Sequence, residues 1–173
     1  HYCLVFEQLG PSLYDIIKRN KYVGFPKRHV QSFAKQLFEA VGFMHRCGYT
    51  HTDLKPENVL LCSDSYYEQK DGSRTHYIPK STRIKLIDFG GATHDRDSKS
   101  SIINTRQYRA PEVILQCCSW DKSSDVWSLG CILVELVTGN LLFHVHEDID
   151  HIYMIDKVSG KFPGWMAREA QHP

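Results

Sequence analysis

No run of apolar residues in this 173-residue chain approaches the ~20 needed to span a bilayer, and no signal-peptide pattern opens it. A membrane-embedded or secreted protein is therefore not expected. An excess of one charge is missing too. The 21 Lys and Arg against 20 Asp and Glu leave a formal net charge of +1, which gives no electrostatic reason to expect nucleic acid or a membrane as partner. The six cysteines contain no Cys-x-x-Cys spacing, and several stand among apolar neighbours. That argues against a disulfide framework and for a reducing, intracellular setting. Repeats, low-complexity tracts and linker-like stretches are also missing, so one domain with one core is expected. The sequence starts without methionine, at His1 beside the apolar run Tyr2–Phe6, and reads as part of a longer polypeptide.

What is present is ordered along the chain. Tyr2–Phe6 reads as a strand and Leu9–Ser12 as a turn, with Ser12 a candidate N-cap for a short helix that carries Leu13, Ile16 and Ile17 on one side. A longer helix is expected from about Lys27 to Cys47. Val30, Phe33, Leu37, Val41 and Met44 form its buried stripe, and Gly48 fits just beyond its end. Val59–Leu61 and the alternating stretch around Ile84 and Leu86 read as strands, and residues 62–82 as a hairpin or surface loop turning at Asp71-Gly72. A strongly apolar helix should span about Ser124–Val137, with Val126, Leu129, Leu133 and Leu136 facing the core, and another about Ile149–Val158. Residues 91–109 read as loop.

Three short motifs and a helix start stand in fixed order: His51-Thr52-Asp53-Leu54-Lys55-Pro56-Glu57-Asn58, then Asp88-Phe89-Gly90, then Ala110-Pro111-Glu112, and Asp125-Val126-Trp127-Ser128 opening the apolar helix. Singly, each of these polar residues has a plain structural reading, since Asp and Asn in loops commonly bond their own backbone. Together the set resembles the catalytic loop, metal loop, activation-segment end and central helix of the protein kinases. The resemblance implies a protein kinase-like α+β fold, here a mostly helical C-terminal lobe with short strands and with the N-terminal lobe absent. It also implies ATP and Mg²⁺ as cofactors. Catalysis of phosphoryl transfer is mainly positioning and charge neutralisation, which explains the residue types needed. On this reading Asp53 accepts or orients the substrate hydroxyl proton, Lys55 reaches the transferring phosphoryl, and Thr105 braces both. Asn58 and Asp88 offer hard oxygens to Mg²⁺. His51 braces the loop, while Glu112 and Asp125 hold the lobe together.

The opening Cys3-Leu4-Val5-Phe6-Glu7-Gln8-Leu9-Gly10 resembles the kinase hinge. Phe6 then stands at the gatekeeper position, Glu7 and Leu9 meet the adenine edge, Asp15 approaches the ribose, and Leu60 floors the adenine site. Thr52 before the catalytic Asp, with Asn104-Thr105-Arg106-Gln107-Tyr108-Arg109-Ala110-Pro111-Glu112 and the insertion at 62–82, is similar to the LAMMER-type, dual-specificity (CDC-like) kinases. The segment Asp150–Lys157 keeps only His151 and Met154 of that family's name motif, which marks a divergent member. The resemblance implies phosphorylation of Ser and Thr, and of Tyr in a dual-specificity enzyme, in arginine-serine-rich splicing proteins. Glu57 would meet a substrate arginine. It also implies a nuclear enzyme, with a cytoplasmic share, that is monomeric when complete. Most kinases carry Arg where Thr52 stands, and that Arg pairs with an activation-segment phosphate. Phosphorylation of that segment is therefore not expected to be the main switch.

Two other readings compete. The sequence has no Gly-x-Gly-x-x-Gly loop and no strand lysine, as a pseudokinase-like interaction module would. Such parts belong to the N-terminal lobe, and the intact Asp53, Lys55, Asn58 and Asp88 favour the enzyme. His45, Cys47 and His51, or His144 and His146, raise a zinc site, but without the paired ligand spacing such sites use.

Overall fold

The structure, a computed structural model, describes residues 1–72 and 74–171. The expected domain limit at Pro173 lies outside the described residues.

Helix α1 spans Leu13–Arg19. Ser12 starts it as a capping box: its Oγ accepts the Asp15 N–H at 3.1 Å, and Asp15 Oδ2 accepts the Ser12 N–H at 2.9 Å. Helix α2, Lys27–Arg46, buries Val30, Phe33, Leu37 and Val41 on one stripe, with Met44 half-buried in its last turn. Gly48, just past it, takes φ 85°. Short strands follow: β1 (Tyr49–Thr50), β2 (Val59–Leu61), β3 (Tyr66–Asp71), β4 (Arg74–Pro79), β5 (Ile84–Leu86) and β6 (Thr93–His94). Among themselves they pair as antiparallel couples, β1 with β6, β2 with β5 and β3 with β4. The rest is helical: α3 (Pro111–Leu115), α4 (Ser123–Thr138), α5 (Asp148–Ser159) and α6 (Gly164–Glu169). Helices α2 and α4 pack on each other, and Phe33, Leu37, Leu129, Ile132, Leu136 and Phe143 are fully buried in the core they share. No described helix is long and apolar enough to cross a membrane.

The hairpin β3–β4 is the expected insertion, and it is docked rather than loose. Asn20, at the end of α1, donates from Nδ2 to the Tyr77 carbonyl at 3.0 Å and accepts the Tyr77 N–H on Oδ1 at 2.8 Å. The Arg19 guanidinium sits 3.6 Å from the Tyr77 ring centroid and 5.1 Å from that of Tyr66. His29 Nε2 bonds the Pro79 carbonyl at 3.0 Å.

Three expectations are corrected. Tyr2–Phe6 forms no strand and is exposed, because a strand needs a neighbour to take its ladder bonds and no described segment offers one. Residues 9–12 are not a free turn but run extended beside β2: Gly10 N–H donates to the Leu61 carbonyl at 2.8 Å, and Leu61 N–H to Pro11 O at 3.0 Å. Val126 is 51% exposed. The inward face of α4 instead includes Asp125, Ser128 and Glu135 beside Leu129, Ile132 and Leu136, so polar residues occupy positions that a hydrophobic pattern alone assigns outward.

Candidate active site

The site is anchored from below by a carboxylate. Asp125, on the first turn of α4 and completely buried, accepts the Thr52 N–H on Oδ1 at 3.0 Å and the His51 N–H on Oδ2 at 2.8 Å. His45 Nε2 stands 2.9 Å from the same Oδ2, so this histidine is absorbed by the anchor. Pinned in this way, Thr52 takes φ 72°, a left-handed conformation that a β-branched residue rarely adopts. His51 completes the bracing. Its Nδ1 accepts the Asp53 N–H at 3.3 Å, which leaves Nε2–H to donate to the Ile87 carbonyl at 3.1 Å. That carbonyl lies immediately before Asp88.

The strained turn presents Asp53 upward, and its carboxylate is the hub of a cluster. Oδ1 accepts from the Thr105 hydroxyl at 2.7 Å and from the Thr105 N–H at 3.1 Å. Oδ2 accepts from Lys55 Nζ at 2.8 Å, and Lys55 also donates to Thr105 Oγ1 at 3.0 Å. Partial burial pushes the Asp53 pKa up, but the bonds from Lys55 and Thr105 outweigh it and hold the carboxyl below the usual aspartate range. Asp53 is therefore an anion at neutral pH, with Lys55 as its counter-charge.

Asn58 donates from Nδ2 to the Asp53 carbonyl at 2.9 Å, so its amide oxygen faces away from the loop. Asp88 takes φ 64° after β5. Asn58 and Asp88 line one cavity of about 830 Å³ together with Phe6, Glu7, Leu9 and Leu60. An ion pair between Glu7 and Lys85 ties the opening segment to β5. Two hard oxygen donors from separate loops fit a hard divalent cation that takes its remaining ligands from phosphate and water. Among the described residues no three His, Cys, Asp or Glu side chains converge as a cage.

One residue expected in this cavity, Asp15, stands elsewhere, and Glu57, expected at the substrate, lies outside it. Asp15 does not line the 830 Å³ cavity, since its carboxylate closes the α1 capping box. Glu57 points to a second cavity of about 550 Å³. That cavity also holds Thr105, Tyr14, Tyr22, Tyr108 and Glu135, the last four of which sequence reasoning missed. Glu135 is buried, its carboxyl pushed up by burial although Oε2 accepts the Tyr108 hydroxyl at 2.7 Å. A lone glutamate in the apolar run Cys131–Val137, three residues after Ile132 on the inward face, was the signal available. Glu112 is half-buried with its carboxyl pushed up by burial, and it makes no ion pair among the described residues. The bonds to Asp125 agree with an anchoring role; for Glu112 no such contact is seen.

A helical lobe whose loops gather a Lys-bonded aspartate and two oxygen donors beside an open cavity defines the C-terminal lobe of a protein kinase. The comparisons agree: the protein kinase domain family matches residues 1–170. Serine/threonine-protein kinase AFC3 of Arabidopsis thaliana is 48% identical over 98% of this chain and 44% of its own length. Dual specificity protein kinase lkh1 of Schizosaccharomyces pombe is 47% identical over 94% of this chain and 24% of its own. A kinase domain solved by crystallography superposes with a TM-score of 0.89 at 47% identity, over 97% of this chain and 51% of that one. The chain belongs to the protein kinase family, in its LAMMER-type, CDC-like branch, and it spans less than half the length of these two curated relatives.

Proposed function

We propose that this chain is the catalytic and substrate-binding lobe of an ATP-dependent kinase that phosphorylates Ser and Thr, and Tyr as a dual-specificity enzyme, in arginine-serine-rich proteins. The observation that carries the reading is the Asp53–Lys55–Thr105 cluster, set beside a cavity with Asn58 and Asp88 on its wall. Asp53, held anionic, orients the substrate hydroxyl and takes its proton as the oxygen attacks the γ-phosphorus of ATP, while the bond from that phosphorus to the β,γ-bridging oxygen breaks and ADP leaves. Thr105 fixes the direction of that carboxylate through two bonds to Oδ1. Lys55, bonded to Oδ2 on the same loop, places its positive charge beside the transferring phosphoryl. Phe6, Glu7, Leu9 and Leu60 form the adenine-facing walls. Mg²⁺ held by Asn58 and Asp88 would supply neutralisation of the nucleotide phosphates.

The basic-substrate part of the proposal is supported by the second cavity. Glu57 and Glu135 both line it, and neither has a cationic partner among the described residues, while Thr105 connects it to Asp53. Two carboxylates beside the phosphorylation point suit an arginine of the substrate. Nuclear location and a monomeric enzyme belong to the same proposal and rest on family likeness alone.

The test is radiolabelled phosphate transfer from ATP and Mg²⁺ to an arginine-serine-rich peptide. It compares a kinase polypeptide that joins this chain to a nucleotide-covering N-terminal lobe, its Asp53→Asn variant, and the 173-residue chain alone. Asp53→Asn should lose at least about 10²-fold in kcat, and the chain alone should be silent. A two-lobed polypeptide inactive on basic and general substrates alike would turn the reading to an interaction module.

A further inference from the structure

We infer that Tyr22 is a specificity-determining residue of the second cavity, the aromatic wall that selects an arginine over a lysine side chain of the substrate. The inference rests on the proposed basic-substrate reading and names how that site discriminates.

Tyr22 is in an unusual position for a tyrosine. Lys21 and Tyr22 follow each other with φ 54° and 61°, two successive left-handed residues of which neither is glycine. Bulky side chains avoid this conformation, and it persists only where the surroundings enforce it. They do so here. Lys21 N–H donates to Lys18 O at 2.9 Å and Tyr22 N–H to Ile17 O at 2.8 Å, so the segment is wound tightly onto the end of α1. On the other side it is pressed against α4. A Cβ added at Gly139 would stand 2.1 Å from the Tyr22 carbonyl oxygen, and one at Gly24 2.1 Å from that of Val137. Phe25 N–H then donates to Leu136 O at 2.8 Å.

Backbone packing on α1 and α4 fixes this conformation, but the Tyr22 side chain is not in the core: the residue is 49% exposed. Tyr22 instead lines the cavity that holds Glu57 and Glu135. Tyr14, from α1, lines the same cavity, and a hydrogen bond with Tyr22 raises its pKa. Two carboxylates accept an ammonium and a guanidinium alike. An aromatic face beside them does not treat the two equally, because a planar guanidinium stacks on a ring while its fork still reaches carboxylates. The same chain already uses that contact, with Arg19 lying over Tyr77 at 3.6 Å.

The experiment measures kcat/KM of the two-lobed polypeptide for paired peptides that differ only in Arg or Lys at the residues flanking the phosphorylated serine. Three proteins are compared: wild type, Tyr22→Asn and Tyr22→Phe. Asparagine removes the ring yet tolerates a left-handed backbone, and phenylalanine keeps the ring face. The arginine-to-lysine ratio should fall roughly three- to fivefold in Tyr22→Asn and stay at the wild-type value in Tyr22→Phe. Should Tyr22→Asn lose its cooperative thermal transition, Tyr22→Leu takes its place and the same ratio decides. An arginine preference in wild type that survives loss of the ring unchanged overturns the inference and leaves the basic-substrate reading standing. No arginine preference in wild type overturns that reading, and the inference with it.

Discussion

His151 is buried on α5 against the Phe143 ring, 5.0 Å between centroids, and neither of its ring nitrogens has a partner among the described residues. Burial, reinforced by the nearby Arg109, pushes its pKa down to about 4. Arg106 adds to that repulsion, and Asp148 opposes it. The sign follows. Above about pH 6.5, the ordinary histidine value, the ring is neutral folded or unfolded and pH changes nothing. Below it the unfolded chain binds a proton that the folded chain refuses, so stability falls as pH drops from about 6.5 towards 4, by up to about 3 kcal/mol. Asp53, whose pKa is lowered from an aspartate value already near that limit, adds its loss only at lower pH. In His151→Phe the fall in urea midpoint from pH 6.5 towards 4 should disappear, leaving the opposite trend of Glu112 and Glu135, whose raised carboxyls take up protons in the folded chain first. At pH 7 the variant should be at least as stable as wild type, because an unpartnered buried polar group has been replaced by an apolar ring.

At the scale of elements, the most telling contrast is between helix α4 and the hairpin β3–β4. The apolar period located α4 to within a residue at each end, but it misassigned Val126 and passed over Glu135. Which face a mostly apolar helix buries is decided by the loops it anchors: Asp125 points inward because the His51 and Thr52 amides need it. The hairpin's turn at Asp71-Gly72 was legible. Its docking was not, because Asn20 and Tyr77 are 57 residues apart and neither stands out in sequence. Helices α3 and α6 are too short for periodicity to reveal, and the strand read into Tyr2–Phe6 had the composition but no neighbour. The Asn20 clamp gives the hairpin a measurable tether. Asn20→Ala leaves the Tyr77 N–H and carbonyl without these partners, which should cost about 1–3 kcal/mol. Hydrogen exchange should then quicken first in residues 66–79 rather than in α2 or α4.

For the whole molecule, the catalytic constellation was the most legible part, since the chemistry admits few residue types at those positions. Asp53, Lys55 and Thr105 meet as the family resemblance implied, Asn58 and Asp88 share a cavity, and Glu57 lines a separate one, whereas Asp15 belongs to a cap. Residues without a motif, Tyr14, Tyr22 and Glu135, become visible only when α1, α4 and the catalytic loop are brought together. Regulation is also a property of the whole. Thr52 spends its hydroxyl on the Gly91 carbonyl at 2.8 Å and its own carbonyl on the Asn104 N–H at 2.8 Å. The activation segment is therefore held at both its start and its end without a phosphate. Phosphatase treatment of the two-lobed enzyme should leave at least about half of its peptide-kinase activity, measured before and after with phosphate content checked by mass spectrometry. Near-complete loss that tracks removal of a phosphate between residues 91 and 109 would contradict this.

The same Thr52 contacts join neutral groups, a hydroxyl and two amides against carbonyls. An arginine–phosphate clasp weakens as ions accumulate around it, and hydrogen bonds between uncharged groups have no such dependence. At Thr52 the segment that shapes the substrate platform is thus fastened by links indifferent to ionic strength. Salt weakens the exposed ion pairs that also tie this segment, Lys122 with Asp95 and Arg106 with Asp148, and leaves the Thr52 fastening in place.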